Sequence, residues 1–493
     1  EKIRKKYIKK VNKMSNEIYV GAGAQATLIP ESNILLGTSC TYSGKVITFN
    51  DTTIKLVPDL YIGCELKLVE GSDTQYVTIV DNDATTVTTD VSIDTALASG
   101  SITATIQKFG APVPAPQMGI NSGSRHALLA DNWLGVVNTF TPPNVEVEMK
   151  QLNLAVSGTR NFAHQYKGAE TVSGGSLDIS LNNGSWLYYA LGKIDSVTHD
   201  ATNTAISGSS STVTAGDNST KFFRAIGGNE YPPSATGSLK DIGTGTIAYS
   251  FTELNGHDLP SFALDVSYNK ATNTNRYVLN DDGASMYSKV FTGCQVNTMT
   301  LNFEEGQELK TSLDLVTRSA FDGPEDYAPH RSLEGATGLY NYDASTTSPY
   351  MYSDGTITLF GQTYARVKSG SLTINNNITP QRFIGNYNRQ VTSAHIPAQR
   401  TYEISLTLLV TDKALWTELR SQEEYDTNTG LLELRFEKSA TDFIEIKLDD
   451  YIVQSVNYPF PDDKGPIEVE VTLSARTLSS CSYTGKWVIL NDD

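Results

Sequence analysis

Cysteine is scarce: Cys40, Cys64, Cys294 and Cys481 are the only four in 493 residues. They stand far apart and match no Cys-x-x-Cys spacing, so neither a disulfide framework nor a zinc site organises the chain. They read as buried thiols acting as small hydrophobes. Long apolar runs are missing as well. The longest, such as Trp186–Leu191, are far shorter than a membrane span. No signal peptide is evident, because the basic start is not followed by an apolar stretch. The six histidines (His126, His164, His199, His257, His330 and His395) are scattered, without a His-x-x-x-His or His-Glu-x-x-His pair. They read as turn or interface residues.

The remaining motifs are weak. Gly21-Ala22-Gly23-Ala24-Gln25-Ala26 has the outline of a dinucleotide loop, but no helix follows and no βαβ unit surrounds it. Asp81-Asn82-Asp83 and Asp281-Asp282-Gly283 lack the glycine and distal glutamate of a calcium loop and read as turns. Glu304-Glu305 beside Gly306 is a solvated turn. No catalytic constellation, cofactor or metal is therefore expected, and the chain is not expected to be an enzyme.

What is present suits β-structure. Hydrophobic residues make up 39% of the chain, enough for real cores and too many for disorder. Gly, Thr, Ser, Asn, Asp and Tyr are abundant, as short strands with polar turns require. Net charge is −17, and residues 1–13 carry seven Lys or Arg and one Glu, a local +6, which leaves about −23 for the rest. So acidic a body is not expected to grip a nucleic acid backbone. Residues 1–13 precede Met14-Ser15-Asn16 and read as an upstream extension of the reading frame, with a solvated helical tail as the next reading.

Residues 31–109 break into short runs at Lys45–Phe49, Thr53–Leu56, Glu65–Val69, Gln75–Val80, Thr85–Thr89 and Ser101–Ile106, which predict a small barrel or sandwich. Gly110–Gly119 holds three prolines in five residues and reads as an extended connector. Beyond it, alternation of period two dominates, as in Val145–Met149, Ser176–Leu181, Thr401–Leu408 and Ile467–Leu473. Two short helices are predicted, Ser185–Leu191 and Asp412–Arg420, the second with Leu415, Trp416 and Leu419 on one face. Two stretches, 144–318 and 356–476, share one order: strand, polar excursion, returning strand, tryptophan-bearing helix, closing hairpin ending in Arg. That order points to a duplication, with extra loops such as Ser196–Thr220 in the first copy.

Leu259–Asn269 (LPSFALDVSYN) with Phe291–Val316, and Lys167–Gly192 with its Gly-Ser-Leu strand running into a helix, resemble siphovirus-type tail tube proteins of tailed phages. Val367–Ile378 and Arg400–Leu419 resemble the same family again. The resemblance implies an all-β fold with few short helices: duplicated tail-tube β-sandwiches plus a small N-terminal β-domain. It implies a division into an arm (1–30), an accessory barrel or sandwich (31–109), a linker (110–119), a first tube domain (120–330) and a second (331–493). The expected function is a virion structural protein whose stacked rings form a conduit for DNA. Rings of the family are commonly sixfold, so two fused domains imply three chains per ring. Expected partners are further copies of the chain, the tape measure protein, tail-tip and terminator proteins, and DNA in transit, with no membrane. The implied location is the virion tail, after synthesis in the host cytoplasm. Glu146, Glu148, Asp178 and Glu403 are the candidate lumen-facing groups, and the excursions Gly158–Val172 and Asn377–Gln399 the candidate bridges between rings. A tail-tip or baseplate hub, and a non-viral adhesin or carbohydrate-binding protein, are the alternative readings.

Overall fold

The computed structural model describes residues 19–112 (apart from 32, 50–55, 57–58 and 84), 136–152, 161–200, 210–214, 246–270 (apart from 257–258) and 286–322. It further describes 348–382 (apart from 361 and 364–365), 394–409, 414–421, 431–459 and 465–486. The basic cluster before Met14, most of the proline-rich connector, most of Ser196–Thr220, the Asp281–Gly283 turn and Asp412 lie outside the described residues. So do residues 153–157, and residues 158–160 and 383–393 of the two excursions.

The N-terminal block is a closed barrel. Its strands are β2 (Ile34–Ser43), β3 (Val46–Thr48), β4 (Glu65–Glu70), β5 (Asp73–Asn82), β6 (Thr86–Thr89) and β7 (Ile102–Ile106), in the order β2-β3-β6-β5-β4-β7, with β7 returning to β2. Alternation drives it: in β7, Ile102, Ala104 and Ile106 are fully buried while the residues between them are not. β2 begins eleven residues before the first strand expected from sequence, since Gly37 and two register shifts hide its period.

β1 (Tyr19–Pro30), set apart above as an arm, pairs with β15 (Phe262–Lys270). The barrel is therefore inserted after the first strand of the body. Two repeats follow. The first holds β8 (Val136–Thr141), an arm of β9 (Asn144–Leu152) and β10 (His164–Ser173), β11 (Ser176–Ser180), α1 (Ser185–Leu191), β12 (Gly192–Asp200), β13 (Ser210–Thr214), β14 (Thr246–Glu253), β15, β16 (Met286–Glu304), β17 (Lys310–Val316) and β18 (Ser319–Asp322). The second holds β19 (Gly355–Leu359), β20 (Gln362–Thr363), β21 (Val367–Asn375), an arm of β22 (Ile378–Gln381) and β23 (Ala394–Pro397), β24 (Thr401–Leu409), α2 (Ala414–Ser421), β25 (Leu432–Ser439), β26 (Asp442–Asn457) and β27 (Glu468–Lys486).

The repeats share connectivity. The inner layer of the first runs β8-β11-β17-β16, and that of the second β21-β24-β27-β26. The long strands β16 and β26 cross layers, pairing through their first halves in the outer layer (β16 with β15 and β18, β26 with β25) and through their second halves in the inner one; β27 crosses as well, from β24 to β14. β12 and β14 are an addition of the first repeat, and β14 extends the outer layer of the second by pairing with β27. The layers clasp one apolar core. Leu177, Ile179, Leu313, Met299, Leu372, Ile404 and Leu473 enter it from the inner sheet, and Phe262, Leu264, Phe291, Leu434 and Ile446 from the outer. Residues of opposite parity in the outer sheet, Ala263 and Val290, instead join the barrel's core. The barrel thus sits on the far side of the outer layer, away from the inner sheet.

α1 is apolar on all sides, as only a buried helix can be; Trp186, Leu187, Tyr188, Ala190 and Leu191 are each at most 2% exposed. It stops at Gly192, whose left-handed φ of 105° and crowding by Leu254 (an added Cβ would lie 2.6 Å from it) leave room for glycine alone. α2 takes the matching place in the second repeat, yet Trp416 is 45% exposed. The side chains of Leu415 and Leu419 lie outside the described residues.

At the point where β16 crosses layers, Gly293 bends the chain with φ 64°, and Arg318 lies over it. Arg318 is 1% exposed, its guanidinium 5.5 Å from the ring centre of Phe109 and its Nη1 3.6 Å from Cys64 Sγ. The nearby acid is Glu31, directly after β1. It accepts hydrogen bonds from the amides of Gly110 (2.8 Å) and Gly293 (2.6 Å) and from Ser261 Oγ (2.5 Å). Burial pushes its carboxyl up to about 7, against the pull of those donors and of Arg318. One carboxylate thus ties together the end of β1, the exit of the barrel and the bend of β16.

Candidate functional site

The inner sheet is continuous through the chain because the last strand of one repeat pairs with the first of the next. β16 and β21 run antiparallel from Thr298↔Asn375 to Glu304↔Ser369. The result is eight strands in the order β8-β11-β17-β16-β21-β24-β27-β26. Its inward residues fill the core, so the alternate residues present one broad face to water.

The middle of that face is polar. Thr298, Thr300 and Asn302 on β16 stand beside Asn375, Thr373 and Ser371 on β21, with the Thr300 and Thr373 hydroxyls 3.2 Å apart. Ser312 Oγ donates to Asp178 Oδ1 at 2.7 Å. Asp178, Asp314, Glu304, Glu403, Glu468 and Glu470 supply its acids, while its bases within the paired segments are Lys310 and Lys368. Lys368 is occupied by Glu468 at 2.5 Å, which raises the lysine's pKa. Just past the inner half of β27, Arg476 is paired with Asp450. A shallow depression runs over the middle of the face, lined by Asn302, Glu304, Lys310, Ser371, Thr407 and Glu470.

Of the four acids singled out from sequence, the structure brings two onto this face. Asp178 on β11 and Glu403 on β24 both point away from the core, with three strands between them, or about 19 Å at the usual strand spacing. Glu146 and Glu148 are not with them. They lie on β9, whose only partner among the described residues is β10 in a separate two-stranded sheet. Alternation marks a strand's two faces but not the sheet it belongs to. Sequence reasoning also passed over Glu304, Asp314, Glu468 and Glu470, which follow from the alternation of β16, β17 and β27 once the pairing is known.

Among the described residues the sheet ends in two edge strands: β8 pairs with β11, and the inner half of β26 with β27. An edge strand can add a further strand. No group of His, Cys, Asp and Glu suited to a metal occurs among the described residues. Burial pushes the thiols of Cys40, Cys64, Cys294 and Cys481 upward, away from the reactive thiolate.

No curated protein matches the chain. A family model described as phage tail tube protein matches residues 135–475, a span that opens at β8 and closes with the inner half of β27 and so takes in the entire eight-stranded sheet. Sheet, repeat and family match coincide, and the chain belongs to the phage tail tube protein family.

Proposed function

We propose that the chain polymerises into stacked rings forming the tail tube of a tailed virus, with the polar face of the inner sheet lining the bore through which DNA is ejected. The observation that carries this reading is the β16–β21 joint. One chain already contains an edge-to-edge union of two tube repeats, and it ends in one open edge from each repeat. Joining β26 of one copy to β8 of the next repeats that union and closes the sheet, which leaves no edge exposed.

Three copies per ring place six repeats around the axis, the pseudo-sixfold arrangement that the family resemblance implies. Three times eight strands, spaced about 4.8 Å and tilted about 40°, close into a barrel with a backbone diameter of about 50 Å. Asp178, Glu304, Asp314, Glu403 and Glu470 then face the bore, where they repel a polyanion instead of binding it. The barrel of β2–β7 decorates the outside, since it packs on the layer opposite the bore. Parts of the chain outside the inner sheet are assigned to the same domains, with β1 completing the first tube domain. The expected partners are the tape measure, terminator and tail-tip proteins, in the virion tail, after synthesis in the host cytoplasm.

Negative-stain microscopy of the purified full chain tests the reading. Stacked rings of three chains are expected, and the assembled tubes should not retain DNA at low salt. Monomers, or rings of six chains, would overturn it. Single rings that never stack would favour a tail-tip hub.

A further inference from the structure

Within one chain, the arm of the second repeat and the helix of the first are both seated at the β16–β21 joint. His395 on β23 is 5% exposed, bonds Gln295 Oε1 through Nδ1 at 3.0 Å, and meets the Phe109 ring edge-on at 5.0 Å. The amide of Ile378 on β22 donates to Asn297 Oδ1 at 2.8 Å. Across the same joint, Asn376 Nδ2 and Arg400 Nη2 each donate, at 3.0 Å, to the last carbonyls of α1, those of Ala190 and Leu191. Trp186 on that helix is 2% exposed, packed against Phe262 and Tyr189.

Among the described residues, the matching elements at the two ends of the sheet have no such cover. The β9–β10 arm and its turn bare Met149 (52%), Leu152 (46%), Phe162 (43%) and Tyr166 (53%). α2, next to the open edge of β26, bares Trp416, which meets Tyr458 edge-on at 5.8 Å. A monomer seldom keeps such a set of large apolar groups on one projecting element.

We propose that the β9–β10 arm of one copy seats on the α2 and β26 end of a second copy, with Trp416 as the anchor. This repeats between chains the seating of the β22–β23 arm on β16, with the residues at its base bonded to α1, that occurs inside one. The inference rests on the ring reading and adds to it the arm's partner: the lateral neighbour in the ring, not the ring above. The occupant is a second copy because the chain displays the seated form of both elements, and because arm and helix lie at opposite ends of the one sheet that has to close. The chemistry differs between the joints in the expected direction. The internal joint is covalently tethered and uses polar contacts through His395, Gln295 and Asn297. The joint between chains has to supply its own affinity, and buried aromatic anchors supply most of it at protein interfaces.

Two experiments on the full chain test this. The Phe162→Ser/Tyr166→Ser double variant and Trp416→Ala change side chains exposed in the monomer, so their melting as monomers should match wild type. Each is expected to raise the concentration for half-maximal ring formation at least tenfold. Separately, Met149→Cys with Arg420→Cys, joined by a short bismaleimide in assembled tubes, should give covalent products that stop at three chains. Products running well beyond three chains, or variants that form rings as readily as wild type, would overturn the proposal and leave the tube reading standing. Failure of the wild-type chain to form rings would overturn both.

Discussion

Two of the strands that cross between layers, β16 and β26, bend at matching places and neutralise a matching arginine in different ways. β26 bends at Asp450 with φ 51°, and that aspartate itself holds Arg476. The pair is half in water: the Arg476 side chain is 61% exposed and that of Asp450 only 6%. β16 bends at Gly293, which has no side chain to offer, and Arg318 is sealed beneath the barrel. Its balancing charge comes from Glu31, far off in sequence and adjacent only because β1 belongs to the first repeat. Where the second repeat carries a local ion pair, the first uses the same position to fasten an inserted domain. A buried arginine left without its acid is far more costly than an exposed one, so the two crossovers should answer differently to the same change.

Gly293→Asp, which gives the first crossover the residue of the second, should have the largest effect. Its Cβ would fall 2.4 Å from Cβ of Arg318 in a left-handed conformation. A loss of about 4 kcal/mol or more is expected in urea melts, whereas a change near wild type would show that the crossovers are interchangeable. The helices offer the next contrast. Trp186→Ala empties a buried site and should cost about 3–5 kcal/mol, while Trp416→Ala in the monomer should cost less than about 1 kcal/mol. Equal costs would abolish the distinction between a covered and an uncovered helix.

The charge at the first crossover makes a pH prediction. The folded-state pKa of Glu31 is raised from 4.5 to about 7, so its contribution is complete below about pH 4.5 and is lost as pH rises through about 7. His395 is lowered from 6.5 to about 3, so its contribution is complete above about pH 6.5 and is lost as pH falls through about 3. The two slopes oppose each other between about pH 4.5 and 6.5. Glu31→Gln removes one of them: the advantage of wild type over the variant should shrink by about 3 kcal/mol from pH 4.5 to 7. A difference that stays constant with pH would mean that Glu31 does not titrate in the folded chain. The smallest effect is expected from Asp450→Gly. Relief at a left-handed position offsets loss of a solvent-screened ion pair, and the melt should move by no more than about 1 kcal/mol.

The sequence showed some of this plainly and other parts not at all. Strands such as Thr401–Leu409 alternate cleanly, because one face meets the core and the other water, and both repeats could be traced from them. α1 was legible from its unbroken apolar run. β1 was not: its Gly-Ala-Gly-Ala start has no period, and its partner β15 is more than two hundred residues away, so only the fold reveals it as part of the body. The bulges of β2 obscured its alternation in the same way. Glu146 and Glu148 were placed on the wrong sheet because the hairpin arm alternates as well as the strands of the inner sheet do. Glu31 and Arg318 carry no local signal, since their roles depend on burial that arises only when β1, the barrel and β16 converge. Asp178 and Glu403 lie on the water-facing side of the inner sheet because each follows directly from a clean alternation.

On the proposed ring assembly, the β16–β21 joint also changes the kinetics of building a ring. Two repeats tethered in one polypeptide meet at an effective concentration set by the connecting segment, and not by how much protein the cell has made. In a three-chain ring half of the joints form in this first-order way, during folding, before any two molecules collide. Only the remaining half depend on encounters between copies, so the rate of nucleation scales with a lower power of concentration than it would for six separate single-repeat chains. Dilution should therefore slow this tube's nucleation less steeply than that of a tube built from single repeats.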